Sequence, residues 1–297
     1  MISDYYSVTV AYNPGILLKN QIEYLIAKEI KPIVVFNSNY SGQLEGLANV
    51  IVIENIYNLG LAKAINIGMR KAIELGAKGV FLFDQDSLPE GNFINEMISF
   101  FNSKNDSLQN LACVAPMIYN VSNDTNWPIP VRNNGKLTFI NTLKDENSEV
   151  DYAITSGLFI SKESWIAVGE YLDSFFIDGL DIEWGYRANS KGYKSIINRD
   201  IKLHHNLGDK AISILPFINK KMIIHSPLRR FYMFRNFFWM CKLDYIPKDF
   251  KWHYFKKLIK MFIAILISPI QWLSIYYILK GTFIGIFSKP NAFEKAL

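Results

Sequence analysis

VFLFDQDSLPE, residues 80–90, is the stretch on which the reading of this chain turns. Four apolar residues run directly into Asp84 and Asp86, with Ser87 behind them and Pro89 two places further on. A carboxylate just past a buried strand is destabilising without a partner, and two of them repel each other, so a bound cation is a natural neutraliser. Oxygen ligands alone suit Mg²⁺ or Mn²⁺, which keep waters and bridge to substrate phosphates. The competing reading is a solvated acidic turn in which Asp86 or Ser87 caps the following helix. An isolated pair of aspartates does not decide between the two.

The flanking sequence places the pair in a fold. YYSVTVAYNP (5–14) predicts a strand stopped by Asn-Pro, and residues 15–30 bring Leu17, Ile22, Leu25 and Ile26 to helical spacing. Short apolar strands follow at 31–37 and 50–53. Leu61, Ala64, Ile65, Gly68, Ala72 and Leu75 then share one face of a helix that Gly76 can stop. Strand 79–83 leads into the aspartates. This alternation predicts an α/β fold with a mostly parallel central sheet flanked by helices. In such sheets ligands collect beyond the carboxyl ends of the strands, where Asp84 and Asp86 fall.

Composition narrows the classes. The chain has 297 residues, half of them apolar and 14% aromatic, enough for one large α/β domain with an appendage and too apolar for disorder. Cys113 and Cys241 lie apart in apolar contexts, outside any CxxC or Cys/His cluster, as expected of buried thiols in a reducing compartment. The first residues lack a basic start and an apolar signal core, so the expected address is cytosolic. No GxGxxG follows the first strand, and no phosphate-binding GxxxxGK[ST] or HExxH occurs, which disfavours dinucleotide enzymes, P-loop NTPases and zinc hydrolases.

A second acidic constellation lies in FFIDGLDIEWGYRANSKGY (175–193). After Gly179 a helix is expected, with Asp181 at its start, Glu183 in the first turn and Arg187 four residues beyond as an ion-pair partner. The alternative is simply a well-capped helix. Residues 155–161 (TSGLFIS) put Ser156 and Gly157 at the end of a short strand, where backbone can approach a ligand. His204 and His205 follow another strand-like run and read either as metal or phosphate partners or as ordinary histidines. The Asn-rich stretch 117–150 reads as a long loop or small hairpin over a cleft, or as a variable surface loop.

These stretches carry a resemblance. VTVAYNPG, NLGLAKAINIGMRKAIELGAKGVFLFDQDSLP, DYAITSGLFIS, FFIDGLDIEWGYRANSKGY and HHNLGD together resemble, in order and spacing over about residues 5–210, the inverting family 2 glycosyltransferases of GT-A fold, in particular their bacterial rhamnosyltransferase-like branch. The resemblance implies a donor-binding half at about 1–116 and an acceptor-side half at about 117–215 of one catalytic domain. Asp86 would hold a divalent cation, Mg²⁺ or Mn²⁺, on the diphosphate of a dTDP- or UDP-linked sugar, with His205 near the metal; His204 leaves that register open. Asp181 falls where the family has its general base, although Leu180 stands where many relatives carry Glu; Asp178 and Glu183 are the secondary candidates. Ala11, Tyr12, Asn13, Pro14, Asn37, Asn58, Leu61, Asn66, Asp84, Gln85, Ser156, Gly157 and Arg187 complete the nucleotide-sugar set. One departure is Asn37, where the family has an aspartate that reads the pyrimidine; an amide can still bond a pyrimidine edge. The implied function is sugar transfer, rhamnose first and galactose, galactofuranose or N-acetylglucosamine after it, onto a glycan acceptor carried on lipid. A non-catalytic glycan-binding or scaffold protein is the competing class.

Residues 216–297 form a helical tail with its own composition. From Lys220 onward fourteen Lys and Arg face three Asp and Glu, whereas the preceding residues are net −6. Cations interleaved with apolar runs point to an anionic membrane surface, via 229–287, and away from nucleic acid. In RRFYMFRNFFWMCK (229–242) the arginines Arg229, Arg230 and Arg235 are expected to pair with lipid phosphates or a diphosphate while Phe and Trp enter the interface. No charge occurs from Met261 to Leu279, near the length of a membrane span, but Pro269 and Gln271 interrupt the run. Interfacial helices, a single span at 261–279 and helices packed on the catalytic domain all remain open.

Overall fold

A computed structural model describes residues 4–40, 42–120, 125–141, 147–204, 211–215, 218–223, 225–267 and 272–290. Strand β1 (Tyr5–Ala11), helix α1 (Ile16–Ala27), β2 (Lys31–Phe36), β3 (Ile51–Glu54), α2 (Leu61–Glu74), β4 (Gly79–Asp84), α3 (Phe93–Ser107) and β5 (Leu111–Asn120) follow in alternation. After them come β6 (Thr125–Asn126), the hairpin β7 (Ile129–Asn133) and β8 (Lys136–Ile140), β9 (Asn147–Val150), β10 (Leu158–Ser161), α4 (Lys162–Val168) and α5 (Leu180–Ser190). Strands β11 (Lys194–His204), β12 (Ala211–Leu215) and β13 (Ile218–Ile223) precede three helices, α6 (Pro227–Cys241), α7 (Lys248–Ile267) and α8 (Trp272–Phe287).

The central sheet has the order β3-β2-β1-β4-β10-β5-β11-β9, with β6 beside β5. Its first four strands are parallel; β10 runs antiparallel between β4 and β5, and β9 is antiparallel at the edge. The expected α/β class and mostly parallel sheet are therefore present. Period-2 alternation divides the side chains between two cores. Val8, Val10, Val35 and Leu82 pack with α2, α5 and the tail helices, whereas Val34, Phe36, Phe81 and Phe159 pack with α1 and α3.

Part of stretch 117–150 is the β7–β8 hairpin, turned at Asn134 and Gly135, both with positive φ. Two positive φ values in a two-residue turn match the twist of the strands they join. Arg132 in this hairpin bonds Asp151 and Asp249, tying the hairpin to the N-terminus of α7.

The tail corrects two expectations. The arginines of α6 do not face lipid: Arg229 grips Asp178, Arg230 is buried and bonds the Ser274 hydroxyl, and buried Arg235 lies 4.0 Å from the Trp239 ring centre. Alternating cations and aromatics describe an interfacial helix and a buried guanidinium–aromatic stack equally well, and here α6 is the second. No helix among the described residues is long and apolar enough to cross a membrane. The core that fills one face of the sheet continues without a break into Met233, Phe237, Trp239, Phe250, Leu258, Ile265 and Ile278.

Helices α6 and α8 approach closely because Gly281 and Gly285, one turn apart, lie against the backbone carbonyls of Phe231 and Arg235. A methyl group at Gly281 would collide with a carbonyl that cannot move aside. Gly281→Ala should therefore destabilise the protein by about 1–3 kcal/mol in urea unfolding, despite the better helix propensity of alanine.

Candidate active site

Neighbours β2 and β4 leave β1 on opposite sides, so the strand order reverses at β1 and opens a crevice at the carboxyl ends of β1 and β4. Val10 is registered against Asp84 across that boundary. Just past it, Gln85 ties the two loops together: its Oε1 accepts from the Tyr12 amide at 2.7 Å and its Nε2 donates to the Tyr12 carbonyl at 3.3 Å. Asn13, with φ +46, donates its amide to the Ser38 hydroxyl at 3.0 Å. Tyr12 and Asn13 are exposed and Pro14 half-buried, so the loop offers a ring and an amide to a ligand.

The aspartate turn is held from below by a residue the sequence reading missed. Gln21 of α1 is fully buried; it accepts from the Thr9 hydroxyl at 2.9 Å and donates to the carbonyls of Asp84, at 2.8 Å, and Ser87. A glutamine among Leu18, Ile22 and Leu25 on the apolar face of a helix was the available signal, because buried polar groups require partners. Buried Ser87 in turn bonds the Ser156 hydroxyl, and the Gly157 amide donates to the Leu82 carbonyl at 2.8 Å. The Ser156-Gly157 corner therefore adjoins the aspartate turn. Asp84, Gln85 and Asp86 are all half-exposed at its rim.

The second acidic segment is built on strain. Phe176 has φ 63 and ψ −67, and the Ile177 amide donates to the Phe175 carbonyl at 2.7 Å, a tight γ-turn of the unfavourable hand. Asp178 and Gly179 also have positive φ, at +64 and +82. Such geometry persists only when its surroundings over-determine it. Asn236 of α6, 1% exposed, donates its amide to the carbonyls of Phe175, Ile177 and Asp178 at 2.7–2.9 Å. Arg235 bonds the carbonyls of Ser174 and Phe175, and the first amides of α2, Leu61 and Ala62, reach the Phe176 carbonyl. The Phe176 ring stacks on Tyr232 at 4.6 Å.

This frame delivers Asp178 and Asp181 to different circumstances. Arg229 chelates the Asp178 carboxylate, Nε to Oδ1 at 3.1 Å and Oδ2 at 3.0 Å and Nη2 to Oδ1 at 3.0 Å. Asp181, near the start of α5, accepts from the Ile182 amide at 2.9 Å and lies among Tyr152, Tyr171 and Tyr254, whose hydroxyls are pushed upward first by burial and further by its charge. Desolvation raises its carboxyl to about 6, and the charges of Asp178 and Asp84 add to that rise. The charge of Asp84, at the carboxyl end of β4, thus reaches Asp181 and couples the two acidic segments electrostatically. A carboxylate titrating near 6 is ionised at neutral pH yet basic enough to take a proton.

Other sequence candidates have their polar atoms engaged. Asn66 is fully buried, and its amide bonds Tyr171 on both atoms and Asp173. Asn37 is buried, donating to the Gly60 carbonyl and accepting from Asn55. Asn58 caps the Gly60 amide, Leu61 opens α2 and Ala11 accepts the Asn37 amide. Glu183 is fully buried and paired with Arg187, as the i,i+4 spacing indicated, and also bonds Tyr245; Arg187 continues to the carbonyls of Val168 and Glu170. His205 lies outside the described residues, and His204 is exposed at the end of β11. Among the described residues no group of three or more His, Cys, Asp or Glu could enclose a metal ion.

The raised carboxyl has a stability consequence. Its folded value lies above the ordinary value near 3.8, so protonation favours the fold and ionisation opposes it. Asp181→Asn should stabilise the protein by at most about 3 kcal/mol at pH 7–8, with the gain fading as pH falls from about 6 to below 4. Urea midpoints measured across pH 4–8 check this.

No protein-family profile matches the chain. Among solved structures, GalNAc-T7 with UDP, GalNAc and Mn²⁺ superposes with a TM-score of 0.56 at 14% identity over 86% of this chain and 54% of its own. TarS of S. aureus gives 0.56 at 12% identity over 86% and 42%, so the chain spans about half the length of these two structures. TarS 1-349 gives 0.52 over 99% of this chain and 75% of its own. In sequence the chain is 30% identical over 253 residues to the dTDP-rhamnosyl transferase RfbF of Shigella flexneri, covering 83% of both proteins. With that identity over that length and this sheet, the chain belongs to the GT-A glycosyltransferases of the family 2 type and is an enzyme of that class.

Proposed function

We propose that the chain is a metal-dependent inverting transferase that moves L-rhamnose from dTDP-rhamnose to a glycan acceptor in cell-surface polysaccharide synthesis. The chemistry rests on Asp181 at the start of α5, among Tyr152, Tyr171 and Tyr254, where burial pushes its carboxyl up to about 6. The sugar and nucleotide follow from the likeness to a dTDP-rhamnosyl transferase over most of both chains.

The donor's nucleotide occupies the crevice between β1 and β4, against Tyr12 and Asn13. Asp86 is half-exposed at the aspartate turn with no carboxylate partner among the described residues, which suits it to a divalent cation completed by phosphate and water oxygens. When bound, that cation supplies Lewis-acid stabilisation of the departing diphosphate. Asp181 takes the proton of the acceptor hydroxyl as its oxygen bonds the anomeric carbon; the bond from that carbon to the diphosphate oxygen breaks and the configuration inverts. No covalent sugar–enzyme intermediate is needed. Ser87 and Ser156 keep the donor loop in register with the acceptor side, so the two reacting halves arrive at fixed separation.

Asp181→Asn should lower turnover by about 10²–10⁴-fold with donor affinity changed only a few-fold, read from steady-state transfer and calorimetry. Asp86→Ala should instead remove the Mn²⁺-dependent part of dTDP binding. A chain that binds neither dTDP nor UDP more tightly with Mn²⁺ is a scaffold, and the proposal fails.

The tail supports a peripheral position on the cytoplasmic face of the membrane, where a lipid-linked acceptor would lie. Helices α7 and α8 expose Trp252, Ile263, Leu266, Trp272, Leu273 and Phe283, and Lys256, Lys260 and Lys280 are exposed on the same helices. Monomeric proteins seldom leave such a surface uncovered, and apolar side chains beside lysines fit an anionic bilayer interface. The full chain should co-sediment with phosphatidylglycerol vesicles and not with phosphatidylcholine vesicles, and Leu273→Glu with Phe283→Glu should abolish it. Equal loss of both vesicle types in the unaltered chain would remove the membrane from the proposal.

A further inference from the structure

Asp178 and Asp181 are three residues apart and interact electrostatically, and either could serve as the base by chemistry alone. The structure separates them through a residue more than forty positions downstream. Arg229, in the first turn of α6, holds both oxygens of Asp178 through three hydrogen bonds of 3.0–3.1 Å. Its own amide caps α6 onto Ser226 at 3.2 Å, so the guanidinium projects from a fixed helix end. Six and seven positions further along α6, Arg235 and Asn236 fix the carbonyls of residues 174, 175, 177 and 178.

We propose that Arg229 is a positioning residue for the transfer reaction: by chelating Asp178 it holds both oxygens of that carboxylate in hydrogen bonds and leaves Asp181 as the acid free to accept the acceptor proton. This rests on the reading of Asp181 as the base. A bidentate guanidinium–carboxylate pair is directional and charge-assisted, so it fixes Asp178 in orientation as well as in charge. Without Arg229, the Asp178 carboxylate loses its chelating partner, and its charge weighs more heavily on Asp181. The groups facing Asp181 are Asp178 on the preceding loop, Asp84 at the end of β4, Tyr152 after β9, Tyr171 after α4, and Tyr254 and Lys257 on α7. Glu183, on the same helix as Asp181, is turned into its pair with Arg187.

The test uses the full chain and four proteins: unaltered, Arg229→Gln, Asp178→Asn and the double variant. The titration of Asp181 is followed by carbon-13 NMR of labelled aspartate carboxyls, assigned with Asp181→Asn, and hydrolysis of dTDP-rhamnose is followed against pH. Arg229→Gln should raise the Asp181 midpoint by about half a pH unit or more, and Asp178→Asn should lower it. The double variant should fall between the singles and recover hydrolysis lost in Arg229→Gln, an outcome a merely structural role would not give. Arg229→Lys, which keeps the charge, should stay near the unaltered midpoint; if Arg229→Gln does not fold, this variant and Asp178→Asn carry the comparison. An Asp181 midpoint unmoved by Asp178→Asn, or a double variant no more active than Arg229→Gln, overturns the proposal. Full hydrolysis in Asp181→Asn would instead overturn the base assignment, whatever the midpoints show.

Discussion

The grip of helix α6 on residues 174–178 is the constraint on which the candidate site depends. A γ-turn with positive central φ at a phenylalanine, followed by an aspartate and a glycine also at positive φ, is a conformation the local sequence would not hold alone. Asn236, Arg235, Arg229 and the amino end of α2 together supply the donors that its carbonyls and carboxylate require. The turn sets where α5 begins, and Asp181 is the second residue of α5. The tail is thus part of the frame of the candidate site, and its helices α7 and α8 also carry exposed apolar side chains.

A second support comes from the opposite wall. Gln21 binds the backbone of the aspartate turn from α1, and Ser87 joins that turn to Ser156. Each is buried and hydrogen-bonded, so the carboxylates at the rim can respond to a ligand while the turn beneath them keeps its shape. Tyrosines surround Asp181, and desolvation lifts its carboxyl into the range useful for proton transfer and makes the fold less stable than an amide at that position would.

Much of this was legible in the sequence, for identifiable reasons. The strand run before Asp84 and the period-3.6 pattern of residues 61–75 placed the aspartates at the end of a sheet strand, because parallel strands bury both faces and read as continuous apolar runs. The Glu183–Arg187 pair followed from i,i+4 spacing. What stayed hidden depended on long-range partners. Asn66 and Asn37 looked available to a nucleotide, yet bond Tyr171, Asp173, Gly60 and Asn55, from distant or separately folded segments. The arginines of α6 were read as lipid ligands because nothing local reveals that Asp178, Ser274 and the carbonyls of residues 174 and 175 meet them. The close packing of α6 and α8 was carried by two glycines that composition alone does not single out.

The account reduces to one event: a lone carboxylate on α5 draws a proton from an alcohol while that alcohol displaces a diphosphate from the opposite face of the sugar. The stereochemistry of the product reports on it most directly. Proton NMR of the glycoside formed from dTDP-rhamnose should show an anomeric configuration opposite to that of the donor. Retained configuration would require a second displacement or front-face attack, and would contradict the account.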